Sequence, residues 1–246
     1  LYEMILSGKT SAAQLALDGV LNFLFDRMYA KGSACPKELL FEYIEHKMFK
    51  RVQNVSAWSP TMRQLASFPS LVINGKECMN FIPLMKKLSR DPGVNALLQP
   101  SFACTIHGDL TAENILASAD GSFVLIDVDT ENVIDAPYLD LSKLMQSFHS
   151  FYEFRRASNE EPVISGNAIS FDPCLDARYE EIHRNLLRRL PHLMPDKSEL
   201  ETILLFYEAS HFSRMLPYRY LDNLATMPIY YARATELLNE FYQRIR

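Results

Sequence analysis

Hydrophobic residues recur at helical spacing over most of the chain. Between positions 11 and 30 they cover a broad face, which predicts a largely buried helix. Pro36 suits the first turn of a second helix that runs to about Gln53. The same periodicity predicts further helices at residues 60–66, 81–88, 139–151, 175–190, 198–216 and 226–245.

Short apolar runs bounded by turn residues predict a few small strands. Residues 71–73 and 76–78 flank Asn74-Gly75, which is a strong hairpin signal. The runs at 102–106, 115–117 and 123–126 are also strand-like, and the last two predict a second hairpin. Residues 152–173 are polar and contain Pro162 and Gly166, which indicates a loop or an insertion. Strands and helices do not alternate, so the sequence predicts a mainly helical α+β fold without a parallel sheet.

Composition narrows the function classes without selecting one. The chain has 246 residues, 48% hydrophobic and 22% charged, with a formal net charge of −5, which disfavours a general nucleic-acid binder. The four cysteines form no C-x-x-C pair, so we expect free thiols and not a zinc site. No apolar run is long enough to cross a membrane, and no signal peptide is visible in the sequence. We therefore predict a cytoplasmic protein that binds neither nucleic acid nor membrane.

The residues that point to chemistry cluster at the ends of the predicted middle strands. They are His107-Gly108-Asp109-Leu110, Asn114, Asp127 and Asp140. Phosphoryl transfer needs a carboxylate beside the acceptor hydroxyl and hard oxygen ligands for Mg²⁺. Asp109 suits the first role, and Asn114 with Asp127 suits the second, because the predicted hairpin between them returns the chain to the same cleft wall.

This spacing resembles that of a known enzyme family. His107-x-Asp109-x-x-x-x-Asn114 is similar to the catalytic loop of the kinase superfamily, and Gly108 resembles its aminoglycoside phosphotransferase and choline kinase branch. Ile126-Asp127 and Asp140-Leu141 resemble two later motifs of that branch. The resemblance implies the C-terminal lobe of a protein-kinase-like fold over residues 1–246, with a small hairpin at the catalytic loop.

The resemblance also implies a role for each matching residue. Asp109 would be the catalytic base, His107 would support its loop, and Asp140 would hold that loop structurally. Asn114 and Asp127 would bind Mg²⁺ together with the nucleotide. Asp129 lies where the branch often has a second acidic residue, so it would contact the metal or a water.

One part of the family pattern is missing from this chain. It contains no G-x-G-x-x-G loop and no strand lysine, and Gly8-Lys9 is a poor substitute because no strand or further glycine precedes it. The N-terminal nucleotide-binding lobe is therefore predicted to be absent here. Whether a preceding domain or another segment supplies it is open at this stage.

The resulting functional hypothesis is a Mg²⁺-dependent phosphotransferase. It would move the terminal phosphate of ATP or GTP to a hydroxyl of a small molecule, such as an amino sugar, another sugar or a choline-like alcohol. The alternative is a pseudokinase or binding module without turnover. A protein kinase is disfavoured by Gly108 and by the lack of an A-P-E-like element after Asp127.

Simpler interpretations compete for several of these residues. An aspartate at a strand end is often a turn former, which applies to Asp129, and Asp140 before a helical run could be an N-cap. The aromatic and basic segment 207–220 could line an acceptor pocket, but ordinary packing of its tyrosines is favoured.

Overall fold

The chain has a mainly helical α+β fold in a computed structural model. The structure describes residues 1–158, 160–194 and 199–246. The helices are α1 (Tyr2–Leu6), α2 (Thr10–Phe23), α3 (Lys37–Glu42), α4 (Lys50–Trp58), α5 (Pro60–Ser67), α6 (Phe81–Leu88), α7 (Pro92–Leu98), α8 (Pro137–Phe148), α9 (Tyr152–Ala157), α10 (Ala177–Leu193), α11 (Leu200–Asp222) and α12 (Met227–Arg244). The strands are β1 (Gly32–Ala34), β2 (Ser70–Ile73), β3 (Lys76–Met79), β4 (Phe102–Cys104), β5 (Ile115–Ala117), β6 (Phe123–Leu125), β7 (Val163–Ser165) and β8 (Ala168–Ser170). No helix in these ranges is long and apolar enough to cross a membrane.

Two long helical stretches each contain a π-helical segment, in which the turns are wider than those of an α-helix. Helix α2 continues as a π-helical segment at Leu24–Met28, and α3 is joined to α4 by another at Tyr43–Phe49. The first of these ends the helix predicted at 11–30. Pro36 is the residue before α3 and not its first-turn residue, because its extended backbone places it at the N-cap.

The chain divides into two compact units, each built from three segments. Unit 1 comprises Leu1–Cys35, Pro100–Ala157 and Cys174–Leu204. Unit 2 comprises Pro36–Gln99, Ser158–Pro173 and Leu205–Arg246. The predicted start of a helix at Ser198 lies outside the described residues, and α11 begins at Leu200.

Unit 1 packs helices around two small antiparallel pairs of strands. Strand β1 pairs with β4, and β5 pairs with β6 in the predicted hairpin. Its core includes Tyr179, which is fully buried and meets the rings of Phe148 and Phe154 at centroid distances of 5.6 and 5.1 Å. This packing fixes α8 and α10, and α8 carries residues of the candidate site.

Unit 2 contains a four-stranded sheet in the order β3-β2-β8-β7. The Asn74-Gly75 hairpin forms as predicted, with φ of 48° and 83° at its two turn residues. Strand β8 adds parallel to β2, which the sequence pattern did not predict. The loop expected over residues 152–173 is only partly correct. Its first residues form helix α9 in unit 1, and in unit 2 the hairpin β7–β8 turns at Gly166, which has a left-handed φ of 58°.

Helix α7 in unit 2 begins at a side chain that accepts hydrogen bonds from its first turn. Asp91 accepts from the N–H groups of Gly93 and Val94 at 2.8 and 3.3 Å, so Asp91-Pro92-Gly93 starts α7 as well as ending the helix before it.

Tyr207 on α11 is buried and donates to the carbonyl of Leu98 at 2.8 Å. The packing interpretation of segment 207–220 is confirmed for this tyrosine.

Candidate active site

The loop that carries the predicted catalytic residues turns sharply at Gly108 in unit 1. Gly108 has φ +84°, and a Cβ there would lie 2.2 Å from the carbonyl oxygen of Asp129 and 2.6 Å from Nδ2 of Asn132. The N–H of Asp129 donates to the carbonyl of His107 at 2.9 Å. The loops around positions 108 and 129 therefore touch through their backbones, and only glycine permits that approach.

Asp140 binds this turn from helix α8. It is fully buried, and its carboxylate accepts from the N–H groups of His107 and Gly108 at 2.8 and 2.7 Å and from the hydroxyl of Tyr29 at 2.8 Å. Burial raises the pKa of Asp140, and these hydrogen bonds oppose the rise. The N-cap interpretation of Asp140 is wrong, because α8 begins at Pro137 and Ala136 occupies its N-cap position.

His107 lies wholly inside the protein and directs its ring at its own loop. Its Nδ1 accepts from the N–H of Asp109 at 3.3 Å. Its Nε2 is buried and has no hydrogen-bond partner among the described residues. These contacts let His107 order the backbone of the Asp109 loop, and they give it no direct access to a substrate.

Asp109 lies at the centre of the site, with 39% of its side chain exposed. Lys143 on α8 is 2.8 Å from its Oδ1, and Nδ2 of Asn114 donates to its Oδ2 at 3.0 Å and to its carbonyl oxygen at 2.8 Å. Burial raises the pKa of Asp109, but Lys143 and Asn114 outweigh that effect and hold it below its usual value. Asp109 is thus an ionised, positioned hydrogen-bond acceptor at neutral pH.

Asn114 and Asp127 are connected by the β5–β6 hairpin. The carbonyl of Asn114 accepts from the N–H of Ile126 at 3.1 Å, so the residue before Asp127 is bonded to Asn114 itself. Asp127 is exposed and has a left-handed φ of 56°, an uncommon conformation for a residue other than glycine. Its carboxylate therefore follows a fixed hairpin while remaining accessible to solvent.

The donor set suits a hard cation that is shared with a ligand. Nδ2 of the Asn114 side chain faces Asp109, so the side-chain carbonyl oxygen of Asn114 faces away from Asp109. Asp127 offers a carboxylate. Within the described ranges no three His, Cys, Asp or Glu side chains group closely enough to hold a metal ion. Mg²⁺ commonly takes one or two protein oxygens and completes its shell with other oxygen ligands and water, so one amide oxygen and one carboxylate are chemically compatible with this ion.

Asp129 takes part in local turn structure. Its Oδ1 accepts from the N–H of Glu131 at 2.8 Å, and its carbonyl accepts from Nδ2 of Asn132 at 3.0 Å. These contacts match the turn-former interpretation of Asp129. A metal or water contact at Asp129 stays a prediction.

Three residues of the site were not predicted from the sequence. Lys143 lies three positions after Asp140, so the two share one face of α8, and this spacing is the signal that could have identified it. Glu153 is 3% exposed, and its Oε1 accepts from the hydroxyl of Ser147 at 2.6 Å and from the N–H of Ala112 at 3.1 Å. Tyr29 reaches Asp140 from outside the motif, and no local pattern indicates that contact.

Comparison with known proteins adds no family to this description. The chain matches no family model, and no curated protein and no solved structure matches it.

Proposed function

We propose that this chain is the catalytic part of a Mg²⁺-dependent phosphotransferase organised like a kinase C-terminal lobe. It transfers the terminal phosphate of ATP or GTP to a hydroxyl of a small molecule. The observation that carries the proposal is the pair of hydrogen bonds from Asn114 to the carboxylate and carbonyl of Asp109. They hold together the two residues that a kinase-like catalytic loop requires side by side.

Asp109 receives the acceptor hydroxyl in this reaction. As the hydroxyl oxygen forms a bond to the γ-phosphorus, the bond from that phosphorus to the β-phosphate bridging oxygen breaks. The hydroxyl proton passes to Asp109. Phosphoryl transfer has a loose transition state, so orientation of the hydroxyl matters more than the basicity of the carboxylate. A low pKa at Asp109 is compatible with that role.

The remaining residues position the two substrates. Asn114 and Asp127 would hold Mg²⁺, which would supply charge neutralisation at the phosphates. Lys143 keeps Asp109 ionised, with Nζ 2.8 Å from Oδ1. Asp140, which accepts a hydrogen bond from Tyr29, binds both N–H groups of the His107-Gly108 turn that directly precedes Asp109.

Calorimetric titration with Mg·ATP and Mg·GTP tests the nucleotide part of the proposal. It is applied to this chain and to the longest native polypeptide that contains it. Asp127→Asn is expected to weaken Mg²⁺-dependent binding by roughly tenfold or more, since even supporting residues of metal sites cost that much. Asp26→Asn is the matched control, because Asp26 is exposed and lies in the same unit.

Asp109→Asn tests the transfer step separately. It is expected to abolish phosphate transfer to a panel of sugars, amino sugars and amino alcohols while nucleotide binding is retained. Transfer near the parent rate in Asp109→Asn would contradict the role of this residue. Nucleotide binding by the parent without transfer to any acceptor would instead favour the binding module.

A further inference from the structure

Unit 2 contains a cavity of about 650 Å³ whose lining comes entirely from that unit. One wall is the helical stretch that runs from Lys37 through Phe49, and the opposite wall is the region from Ser89 to Gln99. Leu40 and Ile44 on the first wall are buried, with 4% and 5% exposure. The cavity is large enough for an aromatic side chain from another molecule.

Phe41 lies on the same wall but extends into solvent, with 72% exposure. An isolated exposed hydrophobic residue is ordinary on a protein surface. Phe41 differs because it stands at the mouth of an apolar cavity and thus pairs a protruding ring with a recess. A surface that presents both a protruding side chain and a recess can be complementary to itself.

The charges on this wall have the symmetry that self-pairing needs. Lys37 and Glu45 also line the cavity, and each is four positions from Phe41, on opposite sides of it. Neither side chain forms an ion pair or hydrogen bond with the part of the chain that the structure describes. Turned by 180° about an axis beside Phe41, this wall places a lysine opposite each glutamate.

We propose that this wall, defined by Lys37, Leu40, Phe41, Ile44 and Glu45, pairs with the same wall of a second copy of the chain. The two walls run antiparallel around a two-fold axis. Phe41 of each copy enters the cavity of the other, and Lys37 of each copy meets Glu45 of the other. Charge complementarity argues for this occupant, because the same wall supplies both signs in the required order. The proposal does not depend on the phosphotransferase assignment.

Charge reversal provides the sharpest test, with sedimentation equilibrium of the full chain as the measurement. The parent is expected to be a concentration-dependent dimer. Lys37→Glu and Glu45→Lys are each expected to weaken it by roughly tenfold or more, because two-fold symmetry makes every substitution act twice. The double variant Lys37→Glu/Glu45→Lys restores both pairs and is expected to recover dimerisation to near the parent level.

Phe41→Asp tests the apolar part of the interface, and Leu221→Asp is its control. Leu221 is 79% exposed and also belongs to unit 2, but it does not line the cavity. Loss of the dimer with Phe41→Asp but not with Leu221→Asp is expected. Circular dichroism and thermal melting establish that each variant remains folded.

Several outcomes would overturn the proposal. A parent that is monomeric at every concentration would do so, and so would a parent that forms open-ended oligomers. A double variant as weak as the single variants would show that Lys37 and Glu45 do not face each other. Uptake of a small apolar dye by a monomeric parent, lost in Phe41→Asp, would identify the cavity as a ligand pocket.

Discussion

At the scale of single residues, the state of Asp109 depends on its two neighbours. Burial favours the neutral carboxyl, whereas the ammonium of Lys143 and the amide of Asn114 favour the carboxylate. Lys143 is itself largely buried, with 11% of its side chain exposed, so bulk water screens this ion pair less than one at the surface.

We therefore expect Lys143→Met to raise the pKa of Asp109. Removal of the ammonium leaves burial as the larger influence, so the carboxyl should titrate at higher pH than in the parent. Carboxyl NMR titration measures this directly. Lys143→Arg retains the charge and serves as the control, and an unchanged Asp109 pKa in Lys143→Met would contradict this account.

Glu153 gives a second residue-scale prediction, which concerns stability and pH. Burial raises its pKa above the ordinary value of 4.5, although Ser147 and Ala112 donate hydrogen bonds that oppose the rise. The folded state thus holds this proton more tightly than the unfolded chain does. The stability that Glu153 contributes is present at low pH and falls as pH rises from 4.5 through the folded-state pKa.

Glu153→Gln removes this titration while retaining an acceptor for the N–H of Ala112. Relative to the variant, the parent is expected to lose free energy of unfolding as pH rises through that window. Denaturant unfolding at a series of pH values measures the difference. The exposed Glu131→Gln is the control, and a difference that is independent of pH would show that Glu153 is not the titrating group.

At the scale of elements, the turn at Gly108 links three parts of unit 1. It combines a left-handed backbone, a close approach to Asp129 and two N–H groups bound by Asp140. Gly108→Ala should add about 1–2 kcal/mol of left-handed strain. It should also force the backbone of Asp129 to move, which costs about 1–3 kcal/mol more.

Gly8→Ala reports the strain alone, so the difference between the two variants measures the second effect. Gly8 has φ +79° and no heavy atom within 4 Å of its would-be Cβ, so it shares the strain but not the clash. Denaturant unfolding of both variants should give a clearly larger loss for Gly108→Ala. Equal losses of unfolding free energy in the two variants would mean that the clash with Asp129 does not contribute to the destabilisation.

Elements specified by nearby residues could be predicted from the sequence, and those specified by distant residues could not. The hairpin at Asn74 was predicted because the turn residues themselves require left-handed backbone. Asn74 also accepts from the N–H of Phe171 at 2.9 Å and so helps to attach β8 to β2, but no local pattern signals a partner so far along the chain.

The same distinction holds within the candidate site. Asp109, Asn114 and Asp127 lie within one short stretch, and their spacing alone suggests a shared cleft. Tyr29 and Glu153 reach the loop from other segments, and no local sequence pattern indicates either contact. Only folding brings such residues to the loop. The sequence therefore predicts the chemical groups of the site but not most of the residues that position them.

At the scale of the whole molecule, each unit is assembled from segments that are far apart in the chain. In unit 2, α12 completes the packing of the early segment Pro36–Gln99. Asn239 bonds both the N–H and the carbonyl of Met79, at 3.0 and 2.9 Å, and Tyr231 donates to Asn80 at 2.6 Å. The early segment therefore lacks part of its core until the last helix is present.

A fragment of residues 1–226, which keeps α11 and omits α12, tests this dependence. Its segment 36–99 is expected to lose amide protection, because Asn80 and Met79 lose their partners and the apolar face of α6 is uncovered. Hydrogen exchange read by mass spectrometry gives the result for each segment, with the full chain as reference. Unchanged protection of 36–99 in the fragment would show that this segment is stable without α12.

The π-helical segment Tyr43–Phe49 bears on how the surface of unit 2 can change in evolution. A wide turn accommodates a residue more than a regular helix of the same length. Loss of one residue there would therefore restore α-helical bonding while α4 keeps nearly its present orientation. The segment is thus a place where a descendant lineage could gain or lose a codon without disturbing the packing on either side of it.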